Sequence, residues 1–146
     1  MPYTCSICLL NPQSHSLTKI LEKDNTIYFY TCPSNSFLHF DKTGIISHYN
    51  GVLSEIPENK EWVWIFDGTY YNVQRGLHID LAICMTKIIK QFSNNLKKII
   101  IINPNLYISS IYKIVSPFIN NKMKNVVNII KEPKTLDEIK RVLYTF

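Results

Sequence analysis

Two short runs constrain this chain more than anything else in it: Trp62-Val63-Trp64-Ile65-Phe66 and Ile99-Ile100-Ile101-Ile102 are apolar at every position. A strand with one wet face alternates apolar and polar residues, so an unbroken apolar strand has both faces covered and belongs inside an α/β sheet. Between the runs, Leu77, Leu81, Cys84, Met85, Ile88 and Phe92 recur at helical spacing, while Lys87, Lys90 and Gln91 fall mostly on the other side. Such a strand–helix–strand unit predicts a parallel pair joined by a right-handed crossover. Asp67-Gly68 ends the first run, Ser93-Asn94-Asn95 ends the helix, and Asn103-Pro104 closes the second run, because proline bars the residue before it from an easy helical conformation.

Downstream, residues 106–119 predict a second helix with Ile108, Ile111, Val115 and Phe118 along one side, bent or terminated near Pro117. Val126 to Ile130 predicts a third strand, and Thr135-Leu136-Asp137-Glu138 has the capping-box pattern that opens a last helix through Tyr144. Upstream, the β-branched and aromatic run Thr26 to Cys32 reads as a strand stopped by Pro33. Between residues 33 and 60, the turn signals Asp41-Lys42-Thr43-Gly44, Tyr49-Asn50-Gly51 and Ile56-Pro57-Glu58-Asn59 predict loops and short strands and no helix. Pro, Asn and Ser interrupt the first 25 residues, which are expected to be an N-terminal extension carrying cysteines: either a metal-bound lobe or a plain continuation of the sheet. A length of 146 residues predicts one domain over residues 1–146, an α/β unit with a mainly parallel sheet.

Hydrophobic content of 46% against 18% charged residues excludes a disordered chain, and no apolar run approaches the roughly 20 residues that cross a bilayer. The opening Met1-Pro2-Tyr3-Thr4-Cys5 lacks the basic start and long apolar stretch of a secretory signal, so an intracellular, cytoplasmic address is expected. In that compartment the four cysteines are expected as thiols or ligands. The net charge of +5 is unevenly placed: residues 1–74 hold four Lys against seven acids, and residues 75–146 hold twelve Lys or Arg against four acids. The basic half predicts an anionic partner, and a membrane surface would make the protein peripheral to it. Lys outnumbers Arg fourteen to two and no aromatic platform interleaves with the basic residues, which argues against nucleic acid.

One phrase carries a family resemblance. The segment Asn95-Leu96-Lys97-Lys98-Ile99-Ile100-Ile101-Ile102-Asn103-Pro104 follows a strand ending in acidic Asp67 and a helix, and precedes a helix ending in Pro117-Phe118 and the short strand Val126 to Ile130. Over about residues 61–140 this order resembles the CRAL-TRIO family of lipid-binding domains, and in particular its compact BCH-like branch found in Rho GTPase-activating proteins. The resemblance implies a mixed, mainly parallel sheet with helices packed on it. It also implies a pocket for a phospholipid or another hydrophobe under a gate helix, with Trp62, Trp64, Phe66, Tyr70 and Phe118 as ligand-binding residues. Only six residues, Asn120 to Asn125, stand where larger members hold a longer gate. The function implied is non-enzymatic: binding a lipid or hydrophobic ligand, or docking at anionic membranes. The alternative is a protein–protein adaptor of BCH type that binds small GTPases or their regulators. Lys87, Lys90, Lys97 and Lys98, with Lys113, Lys122 and Lys124 near the expected gate, are the candidate anionic-surface residues.

Two other chemistries are visible. Cys5-x-x-Cys8 places two thiolates where they can share a tetrahedral Zn²⁺, with His15 and Cys32 as the nearest completing ligands and His39 as a substitute. A single pair of this kind also fits small buried thiols, and zinc is the one cofactor the chain suggests. For hydrolysis the natural trio is His48, Asp67 and His78, since Asp67 ends a strand where α/β proteins place functional groups. No Gly-x-Ser-x-Gly elbow, phosphate-cradling glycine loop or His-Glu-x-x-His helix accompanies them, so Asp67 is expected to cap a turn or the next helix. Cys84, on the apolar helix stripe, is expected in the core.

Overall fold

A two-residue turn starts the sheet. Strands β1 (Thr18–Lys23) and β2 (Thr26–Thr31) pair antiparallel, and Asp24 and Asn25 between them both take positive φ, 52° and 67°. That is the hairpin turn whose twist matches the strands it joins, and Asp and Asn tolerate it. The computed structural model describes residues 5, 8, 10, 17–33, 41–69, 79–130, 135, 137, 138, 140 and 141. Part of the expected N-terminal extension is therefore an edge strand of the sheet, hidden in the sequence because it mixes Lys and Glu with its apolar residues.

From β2 onward every pairing is parallel. Helix α1 (Lys42–Ser54) leads to β3 (Glu61–Asp67), α2 (Ile79–Gln91) to β4 (Leu96–Ile102), and α3 (Leu106–Val115) with α4 (Asn121–Val126) to β5 (Val127–Ile130). The five strands lie in chain order, β1-β2-β3-β4-β5, so the unbroken apolar strand β3 is central. Helix α1 corrects the expectation of a helix-free segment. Its first turn signal is an N-cap, where Asp41 Oδ1 accepts the Gly44 N–H at 3.1 Å. Ile45, Tyr49 and Leu53, spaced four apart, bury one helical face, and that burial outweighs the poor propensity of Asn50 and Gly51.

The remaining boundaries have local causes. Asn105 caps α3 by accepting the Ile108 N–H at 3.0 Å, and Pro117 sits in the 3₁₀ turn Ser116–Phe118 that ends it. Asn120 caps α4 by accepting the Met123 N–H at 2.8 Å, so the six residues at the expected gate form a short helix. Near the C-terminus the Glu138 N–H donates to Thr135 Oγ1 at 3.2 Å, the N-cap half of the expected capping box.

Strands added in one direction with crossovers of one hand put their helices on one face. One apolar cluster accordingly joins Ile27, Phe29, Trp62, Ile99 and Ile101 of that sheet face to residues of all four helices, among them Ile45, Tyr49, Leu81, Ile88, Ile89, Ile108 and Met123. The opposite face carries a smaller cluster of Tyr30, Cys32, Val63, Ile65 and Ile102. The alternation places Trp62, Trp64 and Phe66 together on the helix side, as expected for side chains of a strand.

The carboxyl ends of the strands are tied through Asp67, which is only 5% exposed. Its Oδ2 accepts the Tyr30 hydroxyl at 2.5 Å, and its Oδ1 accepts the Thr69 N–H at 2.9 Å, the Thr69 hydroxyl at 2.5 Å and Asn103 Nδ2 at 3.0 Å. Burial, and after it the Asp67 carboxylate, push the Tyr30 hydroxyl far up from its ordinary pKa, so it remains a donor. Asn103 holds φ at 51° to turn β4 toward α3, and a Cβ on Gly68 would lie 2.6 Å from the Asn103 carbonyl oxygen. The turns after β3 and β4 thus touch at a place that admits only glycine without a shift. Tyr30→Phe is expected to lower the unfolding free energy by about 1.5–3 kcal/mol, the value of one hydrogen bond to a charged group. Asp67→Ala is expected to cost more, because it strands the donors of Tyr30, Thr69 and Asn103 together. Urea denaturation of both variants checks the order, and an Asp67→Ala variant as stable as Tyr30→Phe would contradict this role.

Candidate functional site

The helix-side sheet face offers the candidate ligand surface. Trp62 lies at its base, 0% exposed, with Nε1 donating to the Phe92 carbonyl at 2.9 Å and its ring edge-on to Phe29 at 6.0 Å. It is enclosed on all sides and serves as the bottom of the layer. Trp64 and Phe66, two and four residues further up the strand, are only half-buried and meet edge to face at 5.7 Å. Trp64 Nε1 donates to Thr31 Oγ1 at 2.9 Å, and the same oxygen lies 3.1 Å from the Tyr49 hydroxyl. The polar edge of Trp64 is therefore satisfied within the protein, and what the ring offers a ligand is apolar surface. Ile99 and Ile101 of β4 flank these rings in register, and Met85 of α2 joins the same cluster.

The other expected members lie elsewhere. Tyr70 falls outside the described residues. Phe118 is half-buried in the turn after α3, where Lys87 Nζ stands 5.3 Å from its ring centre. Cys84 is half-buried, so its place on the apolar stripe does not make it core.

The seven candidate lysines share one end of the fold. Lys90 closes α2 and Lys97 and Lys98 begin β4, while Lys122 and Lys124 lie on α4, which runs directly into the start of β5. Lys113 is in the last turn of α3, and Lys122 Nζ donates to the Asn94 carbonyl in the turn before β4. All seven are exposed, and among the described residues none forms an ion pair with a carboxylate. The ion pairs of the described residues belong to lysines of the first half: Lys19 and Lys60 with Glu22, and Lys42 with Asp80. Lys60, then Lys19, hold the Glu22 carboxyl below its ordinary pKa, and Lys42 does the same for Asp80.

The two described members of the candidate hydrolytic trio have other partners. Asp67 is committed to Tyr30, Thr69 and Asn103, whereas His48 projects from α1 toward Cys8, with Nδ1 3.8 Å from Cys8 Sγ. His78 lies outside the described residues. Asp67 holds Thr69 two residues on, which is the turn cap its position suggested.

The candidate metal set changes membership. Cys32 is 2% exposed in the cluster on the far face of the sheet, away from the helix side where His48 lies, and His15 and His39 fall outside the described residues. Cys5 and Cys8 instead converge with His48, the ligand atoms of all three lying within 4.8 Å of one another. Sequence reasoning sought a third ligand close to the cysteines along the chain, and His48 is 40 residues from Cys8. Its one signal was a place at helical spacing beside the apolar Ile45 and Tyr49, on a helix that the turn residues concealed.

Comparison with known proteins agrees with this architecture. Sfh5, in its crystal structure, superposes on the chain with a TM-score of 0.60 at 14% identity, over 88% of this chain and 57% of Sfh5. The chain thus corresponds to little more than half of that protein, and at this identity the likeness is one of fold. No curated protein matches the sequence. The family described as "CRAL/TRIO domain" matches residues 7–143. The chain belongs to the CRAL/TRIO domain family.

Proposed function

We propose that this chain binds a lipid or a similar hydrophobe against the helix-side sheet face at Trp64 and Phe66, and docks on anionic membranes through its lysine-bearing end, performing no chemistry of its own. The carrying observation is the pair of half-buried rings on a sheet face where their neighbours Phe29, Trp62, Ile99 and Ile101 are buried, with the one polar atom of Trp64 already bonded to Thr31. A buried floor with its polar groups satisfied favours an acyl chain or other apolar group over a polar ligand. Membership of a lipid-binding family supports the same reading. Unpaired exposed lysines at one end supply attraction to anionic headgroups, and no described helix is long and apolar enough to cross a membrane.

A second reading is an adaptor of BCH type for small GTPases or their regulators. Its specific observation is the first turn of α3, where Leu106 and Tyr107 are 83% and 42% exposed. Protein purified from cells separates the two. The lipid reading predicts an added mass of several hundred daltons in the native mass spectrum that organic extraction removes. A bare chain that also takes up no lipid from labelled vesicles would move the assignment to the adaptor.

Docking has its own test. Flotation with phosphatidylserine vesicles is expected to recover the protein at low salt and release it at about 1 M salt, where the Debye length falls to about 3 Å. Replacing Lys90, Lys97 and Lys98 by Gln is expected to weaken binding about a hundredfold, at about 1 kcal/mol per lysine. Retention of full vesicle binding at high salt would contradict the electrostatic account.

A further inference from the structure

We infer that Cys5, Cys8 and His48 form a Zn²⁺ site that fastens the N-terminal segment to α1. The two cysteines come from a Cys-x-x-Cys stretch in which Cys8 has helical backbone, and neither is in a disulfide. His48 comes from the inward face of α1 and is 6% exposed. Its Nε2 lies 2.9 Å from the Leu17 carbonyl oxygen, an atom that can only accept, so Nε2 carries the proton and donates it. In the neutral ring that tautomer leaves the Nδ1 lone pair facing Cys8 Sγ, 3.8 Å away. A backbone carbonyl holding the far N–H is how proteins orient a metal-ligating histidine and fix its tautomer.

The dimensions fit. Zn–S bonds of about 2.3 Å and Zn–N bonds of about 2.0 Å at tetrahedral angles separate two sulfurs by about 3.8 Å and a sulfur from a nitrogen by about 3.5 Å. Cys8 Sγ is 3.8 Å from His48 Nδ1, and no pair among the three ligand atoms exceeds 4.8 Å. Drawing the group onto an ion therefore requires side-chain shifts of under about an ångström. Two thiolates and an imidazole are a soft set that selects zinc over magnesium or calcium. They also neutralise the dication, so the half-buried site carries no net charge.

Binding exchanges two thiol protons for one Zn²⁺, with both S–H bonds broken, two Zn–S bonds formed and no change of oxidation state. Three residues fill three corners of the tetrahedron, and among the described residues no fourth protein ligand joins them. The bonds would tie two residues near the start of the chain to the middle of the helix that covers β2 and β3.

The test uses the full chain, purified under reducing conditions, stripped with chelator and dialysed against zinc. Elemental analysis is expected to find about one zinc per chain, and cobalt substitution a thiolate-to-metal charge-transfer band with tetrahedral ligand-field absorption. Cys8→Ser is expected to retain under about a tenth of that zinc, while Cys84→Ser, which alters a thiol outside the group, retains it all. His48→Gln keeps a donor for Leu17 and is expected to weaken zinc binding at least about tenfold with the helical circular dichroism intact. Zinc uptake unchanged in the Cys5→Ser, Cys8→Ser double variant would overturn the site. So would a wild-type chain with reduced thiols that binds no zinc, or a Cys5–Cys8 disulfide in protein taken directly from a reducing cytosol.

Discussion

Strand β3 cannot stand at an edge or face water, and the rest of the molecule is arranged around that requirement. Its five central residues are apolar, so it needs a neighbour on each side and a layer on each face. Parallel neighbours β2 and β4 supply the first, each reached through a helical crossover. Because the strands follow in chain order, the crossovers stack their helices on the same face and create one thick apolar layer there. The candidate ligand surface is a consequence of this asymmetry: a sheet floor with large rings, roofed by helices that pack on it through the apolar cluster and, beside Trp64, through the Thr31–Tyr49 hydrogen bond. Apolar contact is non-directional, so the ring faces of Trp64 and Phe66 can take an apolar guest while the Trp64–Thr31 hydrogen bond stays made.

The two ends of the sheet are built on opposite principles. At the carboxyl end, Asp67 gathers Tyr30, Thr69 and Asn103 into a closed network, and Gly68 lets the turns after β3 and β4 meet. The Tyr30, Thr69 and Asn103 donors are answered within the protein by Asp67, which makes this network a clamp. At the amino end of β4 and β5 the lysines face solvent, among the described residues without carboxylate partners, and the proposed function assigns them an external anion.

Periodicity revealed those parts of the fold where burial is regular along the chain. The apolar runs of β3 and β4, Leu81 and Ile88 of the α2 stripe and the Asn103-Pro104 stop correspond to structure, Leu77 of that stripe lies outside the described residues, and the alternation that puts Trp62, Trp64 and Phe66 on one side follows from strand geometry alone. Helix α1 was illegible because its cap, Asp41, and its interior Asn50-Gly51 have the composition of turns, while the burial of Ile45, Tyr49 and Leu53 that stabilises it is tertiary. Strand β1 was hidden because an edge strand needs few apolar residues. The candidate site divided the same way. The exposure of Trp64 against the enclosure of Trp62 depends on what packs above each ring, and the meeting of His48 with Cys5 and Cys8 depends on how α1 crosses the sheet. Neither is written in local spacing.

A hydrophobe bound on the helix-side sheet face would lie against Trp64, which makes that ring its reporter. In a Trp62→Phe variant Trp64 is the one remaining tryptophan of the chain, and its fluorescence can be followed while the protein is loaded with a phospholipid brominated along the acyl chain. Bromine quenches on contact, so the account predicts strong quenching on loading that the unbrominated lipid does not cause. Stoichiometric loading that leaves Trp64 unquenched would place the ligand elsewhere and contradict the assignment of the helix-side sheet face.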